Sequence, residues 1–175
     1  STLRAAELHG RGRITVALYA RDMATPDFVL ELRDKIGTAP FWLCGVTAVV
    51  VKGDQVLMVK RADNGAWTPV TGIVDPGEHP ATAAMRETLE EAGVVAQVIR
   101  LARVGVTDLV TYDNGDQTQY VDLTWRLEWR SGEPHPADGE NTEARWFAAR
   151  SLPPLSDDMA RRIGAALLPH GEAEF

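Results

Sequence analysis

Hydrophobic and polar positions alternate from Arg13 to Ala20, with Ile14, Val16 and Leu18 on one side, which predicts a strand. A helix start follows at Thr25-Pro26-Asp27. Phe28, Val29, Leu32 and Ile36 then recur at helical spacing, and Gly37 closes the run. Val46 to Val51 is an unbroken, mostly β-branched run that suits a buried strand. Lys52-Gly53-Asp54-Gln55 reads as a turn, and Gln55 to Arg61 returns as its hairpin partner. Val94 to Val110 supplies one or two further strands. Tyr112-Asp113-Asn114-Gly115-Asp116 holds an Asn-Gly hairpin signal, leading into alternation from Thr118 to Trp129. Trp146-Phe147 predicts a short strand, and Asp157 to Leu168 a closing helix after the Pro153-Pro154 break. Many strands with few helices argue for an α+β, mixed-sheet layered domain.

Between these strands lies a stretch of different character. Residues 80–92 are good helix formers, Pro80 suits the first turn, and Gly93 stands where a left-handed cap is expected. At about 100° per residue, Ala81, Met85, Thr88, Leu89 and Ala92 fall on one side of this helix. Glu87, Glu90 and Glu91 fall on the opposite side, with Glu87 and Glu91 one turn apart. Carboxylates so close repel one another and raise each other's pKa. A multivalent cation removes that penalty, and hard ions such as Mg²⁺ prefer carboxylate, water and phosphate oxygens. The bland alternative is a solvated acidic face. It leaves the register of Glu78, Arg86 and the loop glycines to accident.

Composition narrows the function classes. A chain of 175 residues fits one domain with a sizeable core. A net charge of −7 and the lack of a basic stripe argue against nonspecific nucleic-acid binding, without excluding a phosphate substrate. Cys44 is the only cysteine, so intrachain disulfides and thiolate metal sites are out; its apolar surroundings predict a small buried core residue. No apolar stretch approaches the roughly 20 residues that span a bilayer, and Ser1 to Glu7 lacks a secretion pattern. A cytoplasmic location is the expectation.

Gly72, Glu78, Arg86, Glu87, Glu90, Glu91 and Gly93 are spaced as Gly-x5-Glu-x7-Arg-Glu-U-x-Glu-Glu-x-Gly, where U is a bulky apolar residue. This arrangement resembles the signature of the Nudix hydrolases. It departs at one U position, Thr88, which falls on the inferred core side; there its methyl can be buried and its hydroxyl returned to a carbonyl one turn back. The resemblance covers about Val46 to Leu155. It implies an α/β/α sandwich in which the box helix packs on a mixed sheet, with residues 1–40 as an N-terminal strand-helix extension and 41–175 as the hydrolase domain. Packing of that extension on the core is favoured over a role in a homodimer, because its helix has one apolar face.

The resemblance also implies roles. Glu87, Glu90 and Glu91 would hold Mg²⁺, with Mn²⁺ as a substitute, together with the backbone carbonyl of Thr71. The segment before Gly72, Trp67-Thr68-Pro69-Val70-Thr71, departs from the family's usual Trp-x-Leu-Pro-Gly, which bears on loop geometry more than on a carbonyl ligand. Trp67 is taken as a core or rim aromatic. Glu78 pairs with Arg86 to hold the loop against the helix, although an exposed ion pair contributes at most about 1 kcal/mol. Arg61 and Gly72 are placed at the substrate; a solvated Arg61 is an equal alternative. Glu140 is the first choice for the residue that deprotonates water, ahead of Glu143, which belongs to the following strand; Glu90 and Arg86 join it as catalytic. The implied reaction is hydrolysis of a phosphoanhydride in a nucleoside diphosphate linked to a group X, with ADP-ribose or a related nucleotide sugar as the small-molecule substrate. The alternatives are a nucleoside triphosphate pyrophosphohydrolase, including one for oxidised nucleotides, and a non-catalytic nucleotide sensor. An isopentenyl diphosphate isomerase is set aside, because lone Cys44 lies ahead of the box in an apolar run.

Overall fold

The computed structural model describes residues 25–175, so the strand expected at residues 13–20 lies outside the described residues. Helix α1 spans Asp27–Ile36 and ends at Gly37, φ 61°. Then come β1 (Phe41–Lys52), β2 (Gln55–Arg61), β3 (Trp67–Thr68), β4 (Val70–Ile73) and α2 (Pro80–Ala92). They are followed by β5 (Val95–Val106), β6 (Val110–Thr111), β7 (Gln117–Ser131), β8 (Asn141–Ala148) and α3 (Asp157–Leu167). The eight described strands form one sheet with the path β3-β2-β1-β7-β5; β4 pairs with β1, β6 with β7 and β8 with β2. β1 and β7 run parallel over Phe41↔Thr118 to Val51↔Glu128, and the other pairings are antiparallel, so the sheet is mixed.

Alternation along β1 assigns its residues to two cores. Val46, Ala48 and Val50 meet Ala83, Ala84 and Ala92 of α2, while Val49 and Val51 meet Ile163, Ala165 and Ala166 of α3. The two helices therefore cover opposite faces, which is the expected α/β/α layering. β1 is buried on both faces, hence its continuous apolar run. The Lys52–Gln55 hairpin and the Tyr112–Asp116 turn both form as the sequence predicts. The strand foreseen at Trp146-Phe147 is longer, because Asn141 to Ala148 pairs along the whole of β2.

Three expectations need correction. Cys44 is half-buried and not a core residue, because the entry to β1 carries less packing than its middle. In α1 only Val29 is buried, whereas Leu32 and Ile36 are exposed. Arg33 ties this helix to the sheet: its guanidinium donates to Ala39 O (2.7 Å), Gln117 O (2.7 Å) and Thr118 Oγ1 (2.8 Å), and lies 4.7 Å from the Phe41 ring. Third, α2 seats on a face rotated from the expected one. Ala83, Ala84, Thr88, Glu91 and Ala92 are buried, while Leu89 is 51% exposed. Small side chains let the helix approach the sheet closely, which turns Glu91 inward and Leu89 out.

On the other face a polar group is fully enclosed. Asp122 accepts from Arg162 Nη1 (2.7 Å), Thr47 Oγ1 (2.7 Å) and Thr124 Oγ1 (2.8 Å), and Arg162 also donates to Asp158 (2.8 Å). A charge buried with all its partners is tolerated; one left alone is not. Arg162→Met should therefore cost about 3 kcal/mol or more, and adding Asp122→Asn should recover much of it. Urea unfolding checks both. Equal stability of Arg162→Met and the parent would mean that this pair does not lock α3.

Candidate active site

The loop of residues 74–79 and the first turns of α2 are organised from their own backbone. His79 is the N-cap: its Nδ1 accepts from Ala81 N (3.2 Å), and Pro80 follows at the first helical position. At the other end Gly93 is left-handed (φ 65°, ψ 20°) and its N–H donates to Leu89 O (3.0 Å). Thr88 is fully buried, and its hydroxyl donates to Ala84 O at 2.7 Å, so the one departure from the signature is absorbed as expected.

Arg86 is the hub. Its Nε and Nη2 grip both oxygens of Glu78 (3.0 and 2.9 Å), and Nη2 also reaches Ile73 O (3.2 Å). Its Nη1 donates to Glu87 Oε1 and to Glu90 Oε2, both at 2.9 Å. Glu78 in turn accepts from Asp75 N (3.3 Å), and the Arg86 guanidinium holds its carboxyl below the usual value. Loop, strand β4 and helix are thus fastened by one planar cation, which a lysine cannot imitate. Gly72 of β4 makes room for this arrangement. A methyl group there would fall inside the Glu87 side chain.

The three box glutamates differ in setting. Glu90 is exposed, Glu87 is largely covered, and Glu91 is buried at 4% exposure. Burial pushes Glu91 up to about 9, against the lowering effect of Asn141, whose Nδ2 donates to Glu91 Oε2 at 2.8 Å. Burial also pushes Glu87 up to about 7, with Arg86 opposing. Glu140 lies at the loop before β8, tied to the end of β2 by Ala62 N→Glu140 O (2.9 Å). Partial desolvation and then neighbouring Asp138 raise it to about 7. Glu143 is on β8, as expected, and pairs with Lys60 (3.0 Å) and Arg145. Arg61, at the end of β2, is held by Asp63 (3.0 and 2.7 Å) and feels the charges of Glu91 and Glu140. It therefore stands beside the carboxylates.

Thr71 and Gly72 occupy neighbouring positions of β4, opposite Thr47 and Val46. As the side chains stand, Arg86 draws Glu87 and Glu90 toward itself, and among the described residues no three acidic, histidine or cysteine side chains converge as a ready metal cage. The donor chemistry nevertheless fits a hard divalent cation. Around Glu87, Glu90, Glu91 and Glu140 the donors are all oxygen, and burial raises the pKa of three of them with too little positive charge to offset it. Sequence inspection missed Asn141, whose contact with Glu91 joins positions 50 residues apart; only the β2–β8 pairing brings it there.

The raised carboxyls fix a pH dependence. Glu87 and Glu91 hold protons more tightly folded than unfolded, so their effect on stability is least harmful below the ordinary value of 4.5 and grows as pH climbs through about 7 and 9. Glu78 and Asp63, whose values are lowered, act in the opposite sense only at and below the ordinary carboxylate range. In EDTA, Tm should fall between about pH 5.5 and 8.5, and excess Mg²⁺ should raise Tm more at the alkaline end. A Tm that rises across this range in EDTA would contradict a buried, protonated Glu91.

Comparison with known proteins agrees with this geometry. The family model described as NUDIX domain matches residues 44–167, more than two thirds of the chain. The "NAD-capped RNA hydrolase NudC" of Pseudomonas aeruginosa (strain LESB58) is 31% identical over 131 residues, covering 67% of this chain. The chain spans only 44% of that relative's length. The "Putative 8-oxo-dGTP diphosphatase" of Bacillus subtilis (strain 168) is 33% identical over 106 residues, covering 60% of this chain and 65% of that one. Among solved structures, a UDP-X diphosphatase superposes with a TM-score of 0.62 at 20% identity, covering 93% of this chain and 82% of the other; this likeness speaks for the fold. With the signature, the layering and the family match in agreement, the chain belongs to the NUDIX family.

Proposed function

We propose that the protein hydrolyses a phosphoanhydride in a nucleoside diphosphate linked to a group X, with ADP-ribose or a related nucleotide sugar as the substrate class. The observation that carries this is the Arg86-centred array, in which a buried Glu91, a largely covered Glu87 and an exposed Glu90 share one helix and face Glu140 and Arg61 from the β2–β8 side. The name of the Pseudomonas relative supports a diphosphate flanked by nucleoside, since NAD carries one.

Each residue has a distinct task in this proposal. Glu87, Glu90 and Glu91, with the Thr71 carbonyl, would hold Mg²⁺ or Mn²⁺, which when bound supplies charge neutralisation and a more acidic water. Arg86 fixes the first two carboxylates and the loop, and Asn141 fixes the third. Arg61 presents a guanidinium to the substrate phosphates. Glu140, held near neutrality, takes the proton of the attacking water as its oxygen bonds to phosphorus and the bond to the departing phosphate oxygen breaks. No covalent enzyme intermediate is needed.

A second substrate class, an ordinary or oxidised nucleoside triphosphate split into monophosphate and pyrophosphate, is favoured by the name of the Bacillus relative. The relatives named for NAD-capped RNA also set a specific RNA end against the expectation of no nucleic-acid partner. The deciding experiment incubates the full chain and Mg²⁺ with ADP-ribose, other nucleotide sugars, NAD, an NAD-capped oligonucleotide and nucleoside triphosphates, resolving products by chromatography. AMP and ribose 5-phosphate from ADP-ribose are expected. Glu91→Gln should lower turnover roughly a hundredfold or more with an unchanged circular dichroism spectrum. Near-normal turnover of Glu91→Gln in Mg²⁺ would remove Glu91 from the metal site.

A further inference from the structure

Residues 132–140 join β7 to β8 without forming a strand or helix, yet the segment is held along its length. At its start Trp129 Nε1 donates to Gly132 O (2.9 Å). Lys52 Nζ stands 4.1 Å from the Trp129 ring and 3.7 Å from the Glu133 carboxylate. Gly132 (φ 91°) then passes close to the end of α2: a methyl group on it would meet Gly93 O at 2.5 Å and Val94 Cα at 3.2 Å. His135 lies on Gly93 itself. A methyl group on Gly93 would fall on the imidazole ring, so the glycine that caps α2 also seats this ring.

A helix ends in carbonyls that have no partner within it. The segment supplies donors to two of them. His135 N donates to Ala92 O (3.1 Å) and Ala137 N to Glu91 O (3.2 Å). Pro134 and Pro136 flank His135 and carry no N–H, so between Pro134 and Ala137 the only backbone donors are the two that meet the helix. Glu91 is thereby gripped twice by one stretch of chain. Ala137 takes its main chain, and Asn141 Nδ2 takes its carboxyl (2.8 Å). Glu140 lies between those anchors, three residues after the first and one before the second. Little slack remains, because Glu140 N donates to Asp138 Oδ1 (2.9 Å) and Glu140 O accepts from Ala62 N (2.9 Å).

We infer that residues 132–138 are a strap that fixes Glu140 relative to Glu91, and that His135, seated on Gly93, is its positioning residue. This rests on the role proposed above for Glu140 as the acceptor of the water proton. His135 acts through the backbone it anchors and transfers no proton itself. A general base works only within hydrogen-bond reach of its proton, so displacing Glu140 by about 1 Å costs turnover more than substrate binding. The flat face of the ring is what the glycine accommodates, so a phenylalanine can take the place of His135 and an alanine cannot. Gly93 therefore has a second reason to lack a side chain, besides its left-handed backbone at φ 65°.

The test uses the full chain with Mg²⁺ and the nucleotide substrate that it turns over fastest. His135→Ala should lower kcat about tenfold while KM and the Mg²⁺ midpoint stay within about twofold of the parent, and His135→Phe should restore most of the loss. Amide hydrogen exchange gives a readout without catalysis. The His135 and Ala137 amides should exchange about tenfold faster or more in His135→Ala, with those in the middle of β1 unchanged. Should His135→Ala fail to fold, Pro136→Gly, which frees the strap and keeps the ring, should show the same loss of kcat at constant KM. An unchanged kcat in His135→Ala, a rise in KM alone, or equal losses in His135→Ala and His135→Phe would overturn the assignment. A parent chain that hydrolyses no nucleotide would remove the proposed reaction instead. Exchange would then still decide the strap, since an Ala137 amide indifferent to His135→Ala would overturn it.

Discussion

One guanidinium holds the site together. Arg86 spans from the loop carboxylate Glu78 and the β4 carbonyl of Ile73 to Glu87 and Glu90 on its own helix, so a single planar cation sets the spacing of loop, strand and helix. Geometry makes this possible. Five donors in a fixed fork can serve three carboxylates and a carbonyl together. Glu78, Arg86, Glu87 and Glu90 of the signature are therefore parts of one hydrogen-bonded object, and the intervals between them are ones this fork can bridge.

The helix that carries the carboxylates is seated by what it lacks. Ala83, Ala84 and Ala92 bring α2 close to β1, and Gly72 leaves space for Glu87. Close seating buries Glu91 and raises its proton affinity, an unfavourable condition that a cation bound at this site would relieve. The opposite face of the sheet shows the contrary solution. There Asp122 is enclosed with its own arginine and two threonine hydroxyls, so it is complete without any ligand. One face carries a satisfied charge that holds α3; the other carries acidic groups still short of positive charge.

Much of this was legible because it is local. The box lies within 23 consecutive residues, its helix start at Pro80 and its cap at Gly93 follow from backbone preference, and Thr88 could be assigned to the core side from helical phase. Helical phase failed for Leu89 and Glu91, since the face a helix buries depends on the size of the residues that let it approach, not on hydrophobicity alone. The hairpins at Lys52 and Asn114 were legible from turn chemistry. Partners distant in sequence were not. Asn141 on Glu91, Arg162 on Asp122 and Tyr120 on Gly45 each depend on the parallel pairing of β1 with β7, on the pairing of β2 with β8, or on the docking of α3. No local pattern encodes such pairings.

The central claim is that the Glu87–Glu91 group is an acidic site completed by a divalent cation. It is tested most directly by calorimetry of Mg²⁺ binding at pH 7 in two buffers of different ionisation enthalpy, which counts the protons displaced. With Glu91 held near 9 and Glu87 near 7 before binding, release of about one proton or more per chain is expected, falling in Glu91→Gln. Binding of Mg²⁺ with no proton release, or no binding of Mg²⁺ at all, would contradict the account.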